Sequence, residues 1–318
     1  MEIIRTASGK EVIIYAETID NATRTQILRL AEHPAYQDSC IRIMPDCHAG
    51  KGCTVGMTMT ITITDKVTPD LVGVDIGCGM LTIELAEKDI DFSRLDAVIR
   101  QSIPNGMCVH EKAVRRFELS GLLCVANIDS VRAGLSIGTL GGGNHFIELG
   151  RSENDSRLYF VIHSGSRKLW TDVCRYYQRQ AEALNVPHKE KVRKVIADLK
   201  KAGREREIQT AIRNIIEDDK ELLYLQGAPF EAYLHDMRIV QEFASLNRCT
   251  IADIIIESMG LNEISRFETV HNIFTGRPPS GSIPHQCSIL PWTKLRRPIS
   301  RWMRLSELSP ILLKLRIS

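Results

Sequence analysis

Apolar residues alternate with polar ones over several short runs of this chain and recur at helical spacing over others. These two periods divide it into elements. Glu2 to Arg5 and Glu11 to Tyr15 read as short strands around a Ser8-Gly9 turn, and Asp20 begins an amphipathic helix that turns Ile27, Leu30 and Ala31 inward. Ile41 to Met44 return to strand and deliver a polar loop, Pro45-Asp46-Cys47-His48-Ala49-Gly50-Lys51-Gly52. Val55, Met57, Met59, Ile61 and Ile63 then alternate with small or hydroxylated residues, the period of a strand with one buried face. A turn at Thr68-Pro69-Asp70 follows, and the apolar run after it reads as a buried strand ending in Asp75.

Leu81, Ile83 and Leu85 alternate again, and a helix with Leu95, Val98 and Ile99 inward comes next. Pro104-Asn105-Gly106 opens a segment without a clear period, to about residue 135. Thr139-Leu140-Gly141-Gly142-Gly143-Asn144-His145 leads into a strand, Phe146-Ile147-Glu148-Leu149. Leu158 to Ile162 form another buried strand that ends in His163-Ser164-Gly165-Ser166-Arg167. Residues 171 to 260 are mostly helical. Lys189 to Glu207 is a solvated face, and Phe230 to Leu246 is a helix that packs Phe230, Tyr233, Met237, Val240 and Ala244 into a core. Glu268-Thr269-Val270-His271-Asn272 reads as a short strand ending in a histidine.

Composition narrows the class. The 318 residues are 43% hydrophobic, enough for a substantial core, and no run of apolar residues is long enough for a membrane span, so a soluble cytoplasmic protein is expected. The nine cysteines are scattered without a Cys-x-x-Cys pair, which argues against a disulfide framework or a zinc ribbon and suits a reducing compartment. The net charge of +2 is uneven: residues 273–318 hold eight Lys or Arg against Glu307 alone, which leaves the body acidic. A nucleic-acid partner would therefore have to be met by a local basic groove or a bound metal rather than by the mean field. The same 46 residues hold six of the twelve prolines and show little sustained period, so they are expected to form a divergent, loosely attached tail.

The chemistry gathers at strand ends. Gly77 and Gly79 let the chain turn tightly enough for Asp75 and Cys78 to converge on one small ion, although a buried cysteine can equally be a small hydrophobe and a strand-end aspartate a turn residue. His145, His163 and His271 each lie in or beside another strand-terminal loop. Asp75, Cys78, His145, His163 and His271 together offer oxygen, sulfur and nitrogen donors, which suit one or two divalent ions, with Mn²⁺, Co²⁺ and Zn²⁺ all compatible. The three glycines before Asn144 free backbone N–H groups for an anion, and the hydroxyls of Ser164 and Ser166 with the Arg167 fork suit phosphate oxygens.

The motifs MPDCHAGKG, GVDIGCGM, GTLGGGNHFIEL, HSGSR and ETVHN occur in this order over residues 1–272, and in them the chain resembles the RtcB family of RNA ligases. The resemblance implies an α+β fold with mixed sheets around a central metal cleft. It implies a tRNA-splicing and RNA-repair activity that joins an RNA 3′-phosphate or 2′,3′-cyclic phosphate to a 5′-hydroxyl with GTP and Mn²⁺. It also makes Asp75, Cys78, His145, His163 and His271 ligands of two Mn²⁺ ions, with Cys78 bridging. Asn144, His145, Phe146, Ile147 and Glu148, with His271 and Asn272, would hold the guanylate. Asp46 matches a position that matters for activity, and Lys51, Ser164, Ser166 and Arg167 are the candidates for RNA phosphate. A monomer is favoured.

In that family a histidine from a Ser-x-Pro-His-Gly-Ala-Gly-Arg type loop takes GMP as a phosphoramidate and passes it to the RNA 3′-phosphate, which the 5′-hydroxyl then attacks. No such loop occurs here, and Ser282-Ile283-Pro284-His285-Gln286-Cys287 lacks its glycines. The expectation is an RtcB-like catalytic domain over 1–272 followed by a tail read as a reading-frame change or truncation. The metal site would be inherited and guanylylation lost. A non-catalytic RNA-end or nucleotide-binding remnant and a metal-dependent phosphoesterase are the alternatives.

Overall fold

The computed structural model describes residues 2–50, 54–60, 66–72, 76–152, 155–184, 187–212 and 223–270, with Asp46 and residues 187–191 described by backbone alone. The fold is α+β. By its contacts the chain divides into two units, one holding residues 1–74 and 174–234, the other 75–173 and 235–273.

The first unit carries a mixed four-stranded sheet in the order β1 (Glu2–Arg5), β2 (Glu11–Ile14), β3 (Ile41–His48), β4 (Val55–Met59). β2 and β3 run parallel, so the chain must cross over between them, and α1 (Asn21–Glu32) makes the crossing. Asp20 caps α1 by accepting from the Thr23 N–H at 2.6 Å, and that bond holds its carboxyl below the usual carboxylate range. Ile4, Val12, Ile14, Ile27, Leu30, Ile41 and Ile43 close over one another between sheet and helix. A short ribbon pairs β5 (Lys66–Val67) with β9 (Leu225–Gln226).

The second unit is built on an antiparallel sheet in the order β10 (Glu263–Val270), β6 (Gly79–Leu85), β8 (Leu158–Ser164), β7 (Phe146–Arg151). The expected alternation is present: Leu81, Ile83 and Leu85 of β6, Leu158, Phe160 and Ile162 of β8, and Ile147 and Leu149 of β7 turn to one face. There they meet Leu95 and Ile99 of α3 (Phe92–Ser102) and Ile251, Ala252, Ile255 and Met259 of α7 (Ala228–Met259). Each leucine, isoleucine, phenylalanine or methionine among them contributes about 1.5–3 kcal/mol by leaving water. The remaining α-helices among the described residues are α2 (Pro69–Val72), α4 (Ser130–Leu135), α5 (Lys168–Leu184) and α6 (Pro187–Lys201).

Four boundaries differ from the sequence expectation. β3 runs on through Pro45 to His48, where a loop was expected, and its pairing with β4 shifts register between Ile43 and His48, because proline has no N–H for a regular ladder. The apolar run before Asp75 opens with the helical turn α2, closed by the Leu71 N–H donating to the Thr68 carbonyl, rather than with a strand. α7 does not stop at Leu246: the polar residues that follow are buried, and the apolar face resumes at Ile251. β10 begins at Glu263, five residues earlier than expected. The expected strand residues Ile61 and Ile63 and the tail 273–318 lie outside the described residues. Among the described residues no helix is long and apolar enough to cross a membrane.

Phe160 is 1% exposed between the sheet and its helices, whereas Ile264 on β10 is 51% exposed. Phe160→Ala is expected to cost about 3–5 kcal/mol in urea unfolding, and Ile264→Ala about 0.5 kcal/mol or less.

Candidate metal centre

The antiparallel register brings the motif loops to one end of the second sheet. Gly79, the first residue of β6, stands opposite Ser164 on β8 and opposite Val270 on β10, while His163 stands opposite both Met80 and Phe146. Cys78 immediately precedes β6, His145 immediately precedes β7 and His163 is the penultimate residue of β8. Three residues distant in sequence therefore meet.

All three are buried. Cys78 Sγ lies 3.1 Å from His163 Nε2 and 3.6 Å from His145 Nε2, and the two imidazoles face each other edge-on with centroids 5.5 Å apart. His145 Nδ1 lies 2.9 Å from the Leu140 carbonyl, and His163 Nδ1 lies 3.1 Å from the Asn144 carbonyl. A carbonyl only accepts, so each Nδ1 carries the proton and donates it. In the neutral rings each Nε2 then presents its lone pair toward the sulfur. The sulfur and the two Nε2 atoms therefore bring their lone pairs to one place. Backbone carbonyls that fix the tautomer in this way are the usual support of metal-bound imidazoles.

The other proposed ligands, Asp75 and His271, lie outside the described residues, as do Asn272 and Lys51. Among the described residues no set of three or more histidine, cysteine, aspartate or glutamate side chains completes a metal-holding group by itself. Asp46 belongs to β3, in the other unit.

The candidate anion and nucleotide contacts divide by burial. Ser164 Oγ donates to the Leu140 carbonyl and Ser166 Oγ to the Ile76 carbonyl, each at 2.9 Å and each fully buried, so both hydroxyls brace the backbone of the site. Ile147 belongs to the core cluster. Phe146 sets its ring edge-on to His163 at 5.2 Å, Glu148 is half-buried and Asn144 is exposed.

Arg167 adopts a left-handed backbone, φ 61°, and reaches across the glycine-rich loop: Nε donates to Thr139 Oγ1 at 3.0 Å and Nη2 to the Gly106 carbonyl at 2.8 Å. Gly106 belongs to the segment without a sequence period. It pairs with the glycine loop through its own N–H, which donates to the Gly141 carbonyl. Sequence reasoning assigns no role to Asn247 or Arg248 of α7, yet both are fully buried and bond to these loops. The signal that points to them is position: they stand three and four residues after Ala244 and four and three before Ile251, in line with the buried apolar stripe of the helix.

A family model described as tRNA-splicing ligase RtcB matches residues 26–127 and 121–274. The RNA-splicing ligase RtcB1 of Escherichia coli strain ATCC 25922 and the RNA-splicing ligase RtcB of E. coli K12 are each 27% identical over 268 residues, which cover 76% of this chain and 58% of theirs. The tRNA-splicing ligase RtcB of Methanococcus maripaludis is 25% identical over 218 residues, 52% of this chain and 45% of its own. The chain thus spans less than two thirds of the length of these relatives.

A Cβ at Gly141, where φ is +88°, would lie 1.6 Å from Arg167 Nη1, whereas one at Gly143, where φ is +77°, would meet nothing within 4 Å. Gly143→Ala is expected to cost about 1–2 kcal/mol from backbone strain alone. Gly141→Ala adds the expulsion of the guanidinium, and a chemical-denaturation comparison of the two variants should find it clearly the less stable.

Proposed function

The chain belongs to the tRNA-splicing ligase RtcB family, and from that premise we propose that it engages broken RNA ends through a divalent-metal centre made by Cys78, His145 and His163 with Asp75 and His271. The reaction to which this belongs is GTP- and Mn²⁺-dependent joining of an RNA 3′-phosphate or 2′,3′-cyclic phosphate to a 5′-hydroxyl, of which these residues would supply the metal- and end-binding part. The observation that carries this reading is the convergence of two Nε2 lone pairs on one buried sulfur, with both Nδ1–H groups held by backbone carbonyls.

The donor chemistry supports a cation: a sulfur, two imidazole nitrogens and, by motif, a carboxylate and a third imidazole suit ions of intermediate softness. Bound there, Mn²⁺ would neutralise the phosphate charges and orient an in-line attack. The chain's own residues do the holding. The Leu140 and Asn144 carbonyls set the imidazoles, and the Arg167 fork shapes the glycine-rich loop on which a guanylate phosphate would rest. No stretch of the 318 residues matches the family's nucleophile loop, so these residues are proposed to hold the metal and the RNA end without supplying the histidine that is charged with GMP.

Three arms test this on the full chain. RNA bearing a 3′-phosphate is expected to bind in a Mn²⁺-dependent manner and to weaken about 10-fold or more in Cys78→Ala and His163→Ala, the scale of losing a ligand's support or more. Incubation with GTP and Mn²⁺ is expected to leave the intact mass unchanged, with no joined RNA formed. A GMP adduct or a joined product would contradict the proposal that these residues do not supply the charged histidine. Opening of a cyclic phosphate without GTP would move the reaction class to a phosphoesterase. RNA-end binding indifferent to Mn²⁺ would remove the metal centre from the reading.

A further inference from the structure

We infer that Asn247 and Arg248, adjacent on α7, are positioning residues that set the separation of Cys78, His145 and His163, with Glu268 as the counter-charge that holds Arg248 in place. The inference rests on the metal reading of these three donors.

Asn247 saturates its amide between two loops. Its Oδ1 accepts from the N–H groups of Gly138 at 2.8 Å and Thr139 at 3.1 Å, and the two hydrogens of its Nδ2 are shared among the Thr139 carbonyl, Ser164 Oγ and the Gly165 carbonyl, each at 3.1 Å. Through this one side chain the glycine-rich loop is fastened to the end of β8. The same Ser164 hydroxyl donates to the Leu140 carbonyl, which in turn accepts from His145 Nδ1.

Arg248 makes the second link. Its Nη1 donates to the Gly77 carbonyl and to the Ser164 carbonyl, both at 2.6 Å. Gly77 immediately precedes Cys78 and Ser164 immediately follows His163, so one nitrogen spans the two chain segments whose donor atoms stand 3.1 Å apart. The turn at Gly77 lies tight on the helix, since a Cβ there would come within 2.9 Å of Ala244 Cβ. Nε donates to Glu268 Oε1 at 2.6 Å, and Ser245 Oγ donates to the other carboxylate oxygen at 2.8 Å. This assigns a part to Glu268, the first residue of the ETVHN motif.

Burial argues that the pair serves geometry. Arg248 is fully buried, Glu268 is about a quarter exposed, and Arg248 Nη2 has no hydrogen-bond partner among the described residues. An ion pair desolvated to this degree is weak support for stability, since apolar replacements of similar volume are often as stable or more so. Its charge-assisted bonds to two carbonyls are short, directional and hard to replace.

Cobalt(II) titration of the full chain tests the inference, because thiolate ligation gives a charge-transfer absorption that reports Cys78 directly. The wild type is expected to develop this band and Cys78→Ser to lack it. Arg248→Lys keeps the charge but not the fork, and Glu268→Gln keeps the shape but not the charge. Each is expected to lose about 10-fold or more in Co²⁺ affinity, with a weakened band, while still melting cooperatively. If Arg248→Lys does not fold, Glu268→Gln carries the test alone. Wild-type affinity and band intensity in the folded variants would overturn the positioning role and leave the metal reading standing. A wild type without a thiolate band would overturn both.

Discussion

The antiparallel register of β6 between β8 and β10 is the constraint on which the site depends. Gly79 stands opposite Ser164 on one side and Val270 on the other, so the start of one strand and the ends of two others fall at the same edge of the sheet. A slip of one residue would turn Leu81, Ile83 and Leu85 to the opposite face and remove them from the core they share with Phe160 and Ile255. Burial of apolar side chains therefore excludes the one-residue slips that would part Cys78 from His163. The energy that folds the unit also assembles the donors.

A layer of buried polar groups then refines this coarse placement. Thr139, Ser164, Ser166, Asn247 and Arg248 are almost wholly withdrawn from water, and their side chains bond to loop backbone or to one another. Such a network costs desolvation, and it resists rearrangement once its partners are in place. Donors held on strand ends and braced from a long helix keep their separation better than donors on a free loop. The tautomers of His145 and His163 follow from the same bracing, since each ring gives its Nδ1 proton to a carbonyl.

Period-2 patterning made the strands of the two four-stranded sheets legible in part, most clearly where one face is buried, as in Leu81, Ile83 and Leu85, whereas β5 and β9 are too short to carry a period. Cys78, His145 and His163 were singled out by residue type and neighbouring glycines, and their side chains stand together. The placement of Ser164 and Ser166 was not: a hydroxyl beside a glycine suits a phosphate or a buried carbonyl equally well, and only the fold decides. The continuation of α7 past Leu246 was hidden for a related reason, since Asn247 and Arg248 look like a solvated break in an apolar stripe. Gly106 had no signal at all, because its role is to offer backbone groups to Gly141 and Arg167. Pattern reading finds groups that act by their own chemistry and misses those that act by holding others.

A crystal of the chain soaked in Mn²⁺, with anomalous scattering recorded at the manganese edge, tests the convergence of Cys78, His145 and His163 on one cation most directly. The predicted result is an anomalous peak in contact with Cys78 Sγ and with Nε2 of both histidines, with the Nδ1 atoms still on the Leu140 and Asn144 carbonyls. An ordered site in which the sulfur contacts only the two imidazoles, with the manganese peaks elsewhere, would contradict it.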